Sequence, residues 1–318
     1  MTTTLAQELP VGAPAPASLL RTRRDGGGTP RARDWGVDSE TGRLRDVLVG
    51  PIDHYTWQAG NAVVARSQRV GLHFDAAVAR AQYGEMLDAY RQAGVRVHTL
   101  PAEPGLPYQI FARDSSVMTP WGAIIMQLQK PFRRGEYAAC LRFYLERGIP
   151  VYDMVTAGNV EGGDFMVLKP GVIACGFSGE RSIAPAVDQL RSWFEAEGWE
   201  FRSYAFDAHF LHLDVQLGMI ADGLAAVCTE AVEPEFVGWL RARGMRIIDV
   251  SYADAMQLGT NVVALGGDRA MIPASSRNLV AACRAEGITV YDPEVSMIAQ
   301  GGGAIHCMCQ ALRRDCCA

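Results

Sequence analysis

Five times along its length the chain writes the same phrase: an amphipathic helix, a glycine, then a short β-branched strand. The copies read AGVRVHTL, RGIPVYDM, EGWEFRSYAF, RGMRIIDV and EGITVYDP, with glycines at Gly94, Gly148, Gly198, Gly244 and Gly287, spaced 54, 50, 46 and 43 residues apart. A near-regular period of this size marks a repeat architecture. Each helix shows the 3.6-residue period: Ala79, Tyr83, Met86, Leu87 and Tyr90 share one face of the first, and Tyr137, Cys140, Leu141 and Tyr144 one face of the second. The glycine stands where a helix ends in a left-handed residue and the chain turns into a strand. A hairpin turn follows each strand, at Thr119-Pro120-Trp121-Gly122, Lys169-Pro170-Gly171, Ala221-Asp222-Gly223 and Gly266-Gly267-Asp268. The unit therefore reads helix, strand, hairpin, and five units about one axis predict an α/β propeller with five-fold pseudosymmetry. The last copy has one hairpin strand, roughly 305–312, whose expected partner is the strand at 44–50 near the other end of the chain; that pairing would cover both exposed edges.

If the units share an axis, residues at equal phase converge on it. Four copies carry a charged or reactive group 13 to 20 residues after the glycine: Asp114 in FARD, Glu161 in EGGD, His212 in HLD and Cys307 in GGGAIHC. The fourth copy, with Gly259, Thr260 and Asn261, reads as chemically quiet. Taken singly, FARD and EGGD are ordinary turn signals. His212 reads as part of a strand alternating His212, Asp214 and Gln216 against Leu213, Val215 and Leu217, and Cys307 as part of another, with Cys309 on its own face and His306 on the opposite one.

Composition narrows the classes. The uninterrupted period leaves no internal linker, so residues 35–318 are expected to form one catalytic domain behind a flexible arm, residues 1–34, rich in Pro, Gly, Ala and Thr. That arm holds the one basic cluster, Arg21, Arg23, Arg24, Arg31 and Arg33, and lacks the apolar core of a secretory signal. A net charge of -5 argues against a nucleic-acid partner, and no apolar run approaches the roughly 20 residues that span a bilayer. The expected location is the cytoplasm, where the 8 cysteines remain reduced. Cys140, Cys228 and Cys283 sit in apolar stretches as small hydrophobes. The spacings of Cys307, Cys309, Cys316 and Cys317 match no usual zinc-ligand pattern, so neither a metal nor a cofactor is expected. A homo-oligomer is left open.

In this order and at these phases, FARDSS, EGGDFM, HLD and GGGAIHCMCQ resemble the guanidino-group modifying enzymes: arginine deiminases, dimethylarginine dimethylaminohydrolases, agmatine deiminases and amidinotransferases. The resemblance covers Trp35 to Arg314. It implies a small guanidino compound as substrate and Cys307 as the nucleophile that forms a covalent adduct. His212 is then the general acid for the departing amine and the base for water. Asp114, Glu161 and Asp214 would hold the flat cation through paired charge-assisted bonds, Glu161 also belonging to the catalytic set, with Asp164 supporting them from behind. Arg181 in GFSGERS, and Arg133 or Arg134 in FRRGEY, resemble the arginines that bind an α-carboxylate. The absence of an inserted helical subdomain is similar to the dimethylaminohydrolases, whereas HCMCQ is closer to deiminases and amidinotransferases. The expected reaction is hydrolysis of arginine, a methylated arginine or a related compound to a ureido product. Amidino transfer to an amine, and a non-catalytic binding protein on the same fold, are the alternatives.

Overall fold

The computed structural model describes residues 22–59 and 61–317. Its strands run, in chain order, β1 (Leu44–Val49), β2 (Arg96–Thr99), β3 (Ser116–Thr119), β4 (Gly122–Ile125), β5 (Val151–Met154), β6 (Phe165–Lys169), β7 (Val172–Phe177) and β8 (Glu200–Ala205). They continue with β9 (Leu217–Ala221), β10 (Leu224–Val227), β11 (Arg246–Asp249), β12 (Val263–Ala264), β13 (Arg269–Met271), β14 (Thr289–Tyr291) and β15 (Gln310–Arg314). These make five three-stranded sheets, the five blades of an α/β propeller with pseudosymmetry. In four of them an antiparallel hairpin is followed by a helix and then a third strand, parallel to the hairpin's second. The blade boundary thus falls one element away from the sequence phrase: the strand after each glycine completes the sheet before it. A parallel neighbour needs a crossover of this length, which the helix supplies. In the remaining sheet β1 pairs in parallel with β2 and antiparallel with β15, so the first and last strands of the chain share one blade as expected.

The helices are α1 (Ala62–Arg69), α2 (Ala76–Gln92), α3 (Glu136–Glu146), α4 (Ala184–Ala196), α5 (Pro234–Ala242), α6 (Tyr252–Ala255), α7 (Arg277–Ala285) and α8 (Ser296–Ala299). The repeated glycines end five of them in one way. Gly94, Gly148, Gly198, Gly244 and Gly287 have φ between 63° and 85°. The next residue's N–H reaches back to a helix carbonyl: Val95 to Tyr90, Ile149 to Tyr144, Trp199 to Phe194, Met245 to Leu240 and Ile288 to Cys283. This pattern satisfies a carbonyl that would otherwise be orphaned and tucks the residue after the glycine under its helix; all five such residues are buried. In α2 the Asp75 carboxylate caps the first turn, accepting from Ala77 and Val78, while Ala79, Tyr83, Met86 and Tyr90 are buried.

Two strand expectations are corrected. Leu213–Val215 forms a turn of 3-10 helix and β9 begins at Leu217, so the alternation around His212 is not that of a strand. FARD and EGGD do the same at Ala112–Ser115 and Gly162–Asp164, immediately ahead of β3 and β6. A 3-10 turn thus stands at the head of the hairpins that begin with β3, β6 and β9. Residues 304–309 are likewise not strand, and β15 starts at Gln310.

Of the arm expected to be flexible, residues 1–21 lie outside the described residues. Residues 22–34 do not hang free. Thr22 and Arg23 bond the β5 carbonyls of Val151 and Tyr152, Arg23 Nε lies 2.7 Å from Asp153, and the Thr29 side chain and backbone N–H both meet Glu197. Two acids on the blade, illegible as partners in sequence, hold the segment.

Candidate active site

The 3-10 turns at the heads of three hairpins, and the turn before β15, bring Asp114, Glu161, His212 and Cys307 together. All four are buried, from fully enclosed at Glu161 to 6 % exposed at His212. Cys307 needs the glycines ahead of it: a Cβ at Gly303 would lie 2.4 Å from the Phe111 ring, so only glycine lets the turn pass. The Cys307 thiol donates to Asp214 Oδ2 at 3.5 Å and accepts from Asn261 Nδ2 at 3.2 Å. Burial, then the Asp214 charge, push it up to about 12, against the opposing pull of His212.

His212 Nε2 lies 2.8 Å from Glu161 Oε2, and its Nδ1 lies 3.8 Å from Asp114 Oδ1. Burial alone would lower the imidazole; Asp114, Asp164 and its bonds to Cys307 and Glu161 overcome that and hold it well above its ordinary value. That direction favours the imidazolium. Glu161 goes the other way: burial would raise it, but Arg181, His212 and Arg133 keep it far below the usual carboxylate range. Asp164 stands behind, accepting from Ser182 Oγ and from the Leu213 N–H at 2.8 Å. Its burial outweighs His212 and these bonds and raises it to about 7.

The arginines sit differently from expectation. Arg133 forms a bidentate pair with Glu136 at 2.9 and 2.8 Å and reaches Asp114 Oδ2 at 2.8 Å. Arg181 Nη1 lies 3.1 Å from Glu161. The protein's own guanidiniums therefore already rest on two of the carboxylates assigned to the substrate. Both line a cavity of about 10 Å³ with Cys307, His212, Asp114 and Leu211. Arg134 is not part of the site: it is exposed and bonds the Gln129 carbonyl, because Pro131–Arg133 form a 3-10 turn that points successive side chains apart. Asp214 is in the site but faces the sulfur, and its Oδ1 has no partner among the described residues.

Three residues escaped the sequence reading. Asn261, in the copy read as quiet, holds the nucleophile: its Oδ1 accepts from the N–H of His306 at 2.9 Å and of Cys307 at 3.2 Å. It stands 17 residues after Gly244, inside the same phase window as the other four, and only the expectation of a charged group hid it. His306 is not turned away; its Nδ1 meets Asp214 at 2.9 Å. Leu211, just before His212, has φ 68° and ψ −64°, the centre of a γ-turn closed by the His212 N–H to the Phe210 carbonyl at 2.9 Å. For a residue with a Cβ this form is rare and strained.

One oxygen or nitrogen each from Asp114, Glu161 and His212 lie within 4.8 Å of one another, a spacing that suits a cation. Arg133 and Arg181 put two positive charges on the same two carboxylates, so the donor set does not fit a resident metal.

The chain is similar to several known proteins. Residues 60–314 match the family described as N,N dimethylarginine dimethylhydrolase, eukaryotic. The uncharacterized protein YkgA of Bacillus subtilis is 27% identical over 283 residues, 87% of this chain and 94% of that one. The N(G),N(G)-dimethylarginine dimethylaminohydrolase of Mycobacterium tuberculosis is 26% identical over 234 residues, 73% of this chain and 75% of that one. The fold is shared with a Pseudomonas aeruginosa dimethylarginine dimethylaminohydrolase, a cysteine-to-serine mutant complexed with citrulline, at TM-score 0.71 and 19% identity over 84% of this chain and 99% of that one. It is shared also with the N-terminal domain of ArgZ, a cyanobacterial arginine dihydrolase, at TM-score 0.75 and 20% identity over 86% and 98%. Five blades, a buried cysteine beside a histidine and carboxylates, and a match over most of its length place the chain in the N,N dimethylarginine dimethylhydrolase family, among the guanidino-group modifying enzymes.

Proposed function

We propose that this protein is a cysteine-dependent hydrolase of a guanidino compound, with arginine or a methylated arginine as the substrate class. The observation that carries the reading is the Cys307 thiol, held by Asn261 and Asp214, beside an imidazolium that Glu161 orients at 2.8 Å. A guanidinium resists attack because its charge is delocalised. Carboxylates at Asp114 and Glu161, once released from Arg133 and Arg181, hold the cation still, and the freed arginines are then available to a substrate carboxylate. As the cation enters, Cys307 passes its proton to Asp214 Oδ2, the acceptor it already faces, and the thiolate bonds to the central carbon. His212 donates its proton to the departing nitrogen, the C–N bond breaks, and an amine leaves behind a thiouronium adduct. Neutral His212 takes a proton from water as its oxygen bonds to the same carbon. The C–S bond breaks, the adduct's remaining hydroxyl proton passes through solvent to the released amine, the sulfur regains its proton from Asp214 and a ureido product forms.

The relatives support this reading through the dimethylaminohydrolase of Mycobacterium tuberculosis, the citrulline complex and the arginine dihydrolase. The test is incubation with a panel of guanidino compounds, with ureido product and released amine measured together. Stoichiometric ureido product and amine, lost in Cys307→Ser and retained in Cys309→Ser, is expected. Cys309 is buried beside Tyr90, away from the carboxylates of the cavity. A new guanidino compound formed only when an amine is added would overturn hydrolysis in favour of amidino transfer.

A further inference from the structure

A second cavity, about 510 Å³, lies against the first. Leu211 lines both. Two other segments pass from one cavity to the other within two residues: Asn61 lines the catalytic cavity and Val63 the large one, and likewise Gly302 and Gln300. The large cavity is lined by apolar side chains of four segments, among them Phe210, Val215, Met256, Leu258 and Val70, with Arg66, His209 and Gln257 also on its wall. Among the described residues four large apolar side chains are strongly exposed, and two of them, Val70 at 72% and Leu72 at 39%, stand on this cavity. Its size is that of a pocket for a small organic molecule.

We infer that this cavity receives an apolar substituent on the departing nitrogen of the substrate, so that the amine released is an alkyl- or arylalkylamine larger than dimethylamine. The inference rests on the hydrolase reading and adds a substrate class to it. His212 donates to the departing nitrogen, so that nitrogen lies at the imidazole. Leu211 adjoins His212 in the chain and is the partition between that point and the large cavity. Any group carried by the nitrogen on that side meets Leu211 first and the 510 Å³ space behind it next. The catalytic cavity, near 10 Å³, has no room for such a group. The Leu211 side chain is half-buried, and its backbone is in a turn that leucine disfavours. An apolar chain gains by leaving water for such walls, and a charged or strongly polar one does not.

The test compares Nω-hexyl-L-arginine with Nω-methyl-L-arginine. Dissociation constants are measured by calorimetry on the full chain carrying Cys307→Ser, which stops turnover, and hexylamine release is measured on the unmodified protein. The hexyl compound is expected to bind at least about tenfold more tightly, since its added methylenes leave water. Adding Ala253→Trp, which fills the cavity from α6, removes that advantage. Val70→Trp, at an exposed position on the rim, is a second plug should the first impair folding. A hexyl compound that binds no more tightly, or an advantage that survives both plugs, overturns the inference. Plug-sensitive binding with no ureido product from any guanidino compound would instead sink the hydrolase reading and leave the cavity assignment standing.

Discussion

The amide of Asn261 clamps Cys307 from both sides, its Nδ2 lying 3.2 Å from the sulfur while its Oδ1 accepts the backbone N–H of Cys307 at 3.2 Å. A side chain at the head of the β12–β13 hairpin thus fixes the nucleophile carried by the turn between α8 and β15, and fixes it by its backbone as well as its reactive atom. The same Oδ1 also accepts the His306 N–H, so one oxygen satisfies two buried donors.

Asn261→Ala strands those donors in a dry site, where each unpaired group costs about 1 to 3 kcal/mol. The variant should lose thermal stability, read as a lower Tm, and lose kcat more than it raises KM, because the sulfur is no longer aimed. Asn261→Asp keeps an acceptor for both N–H groups but puts negative charge beside the sulfur. It should recover Tm and remain poorly active. Normal activity in both variants would show that the clamp is dispensable.

Arg181 distinguishes a carboxylate ligand from a counter-ion. Its Nη1 lies 3.1 Å from Glu161, and its Nε has no partner among the described residues. Arg181→Ala removes the principal charge that keeps Glu161 ionised in the free enzyme, so kcat/KM should fall for every guanidino substrate. For arginine there should be a further loss in kcat/KM, relative to a guanidine without the α-carboxylate, of about 10- to 150-fold, the worth of one charge-assisted bond at about 1.5 to 3 kcal/mol. Equal losses for the two compounds would confine Arg181 to its bond with Glu161.

His212 makes stability depend on pH in a defined direction. Its folded-state value is raised well above the ordinary one by Asp114, Asp164 and the bonds to Cys307 and Glu161, which outweigh burial. A group raised in this way binds its proton more tightly when folded, so its contribution is fully present below the unfolded value of about 6.5 and is lost as pH rises through the folded one. Urea unfolding of the parent and of His212→Gln should therefore show a difference that is largest at and below pH about 6.5 and shrinks on the alkaline side. A difference that grows with pH would mean that the imidazole is neutral in the folded protein.

The period of the glycines made the blades legible, because a helix end, a left-handed glycine and a β-branched run are local signals. The convergence of Asp114, Glu161, His212 and Cys307 was legible for a related reason: each stands 13 to 20 residues after its glycine. What sequence did not show is how charges pair across blades. Nothing local says that Arg133 turns to Glu136 and Asp114 while Arg134 faces solvent, or that Thr22 to Thr29 find Asp153 and Glu197. Asn261 was at the right phase and was passed over because it carries no charge, although an amide has both a donor and an acceptor to offer a thiol and its backbone.

The last expectation concerns the ionisation of Cys307. At about 12, set by burial and by Asp214, its thiol is almost entirely protonated at neutral pH. Of the groups around it, Asp214 and Asp114 disfavour the thiolate and His212 favours it. A guanidinium in the cavity brings positive charge near the sulfur and offsets those carboxylates, so substrate binding should itself generate the nucleophile. The thiolate can be followed by its ultraviolet absorbance, as the difference between the parent and Cys307→Ser across a pH series. In the free protein the difference should stay near zero through neutral pH. With a saturating, non-reactive guanidinium, the titration should move towards lower pH. A cation that leaves the curve unmoved, or a thiolate already formed at pH about 6 without it, would show that the protein sets the charge on its sulfur before substrate arrives.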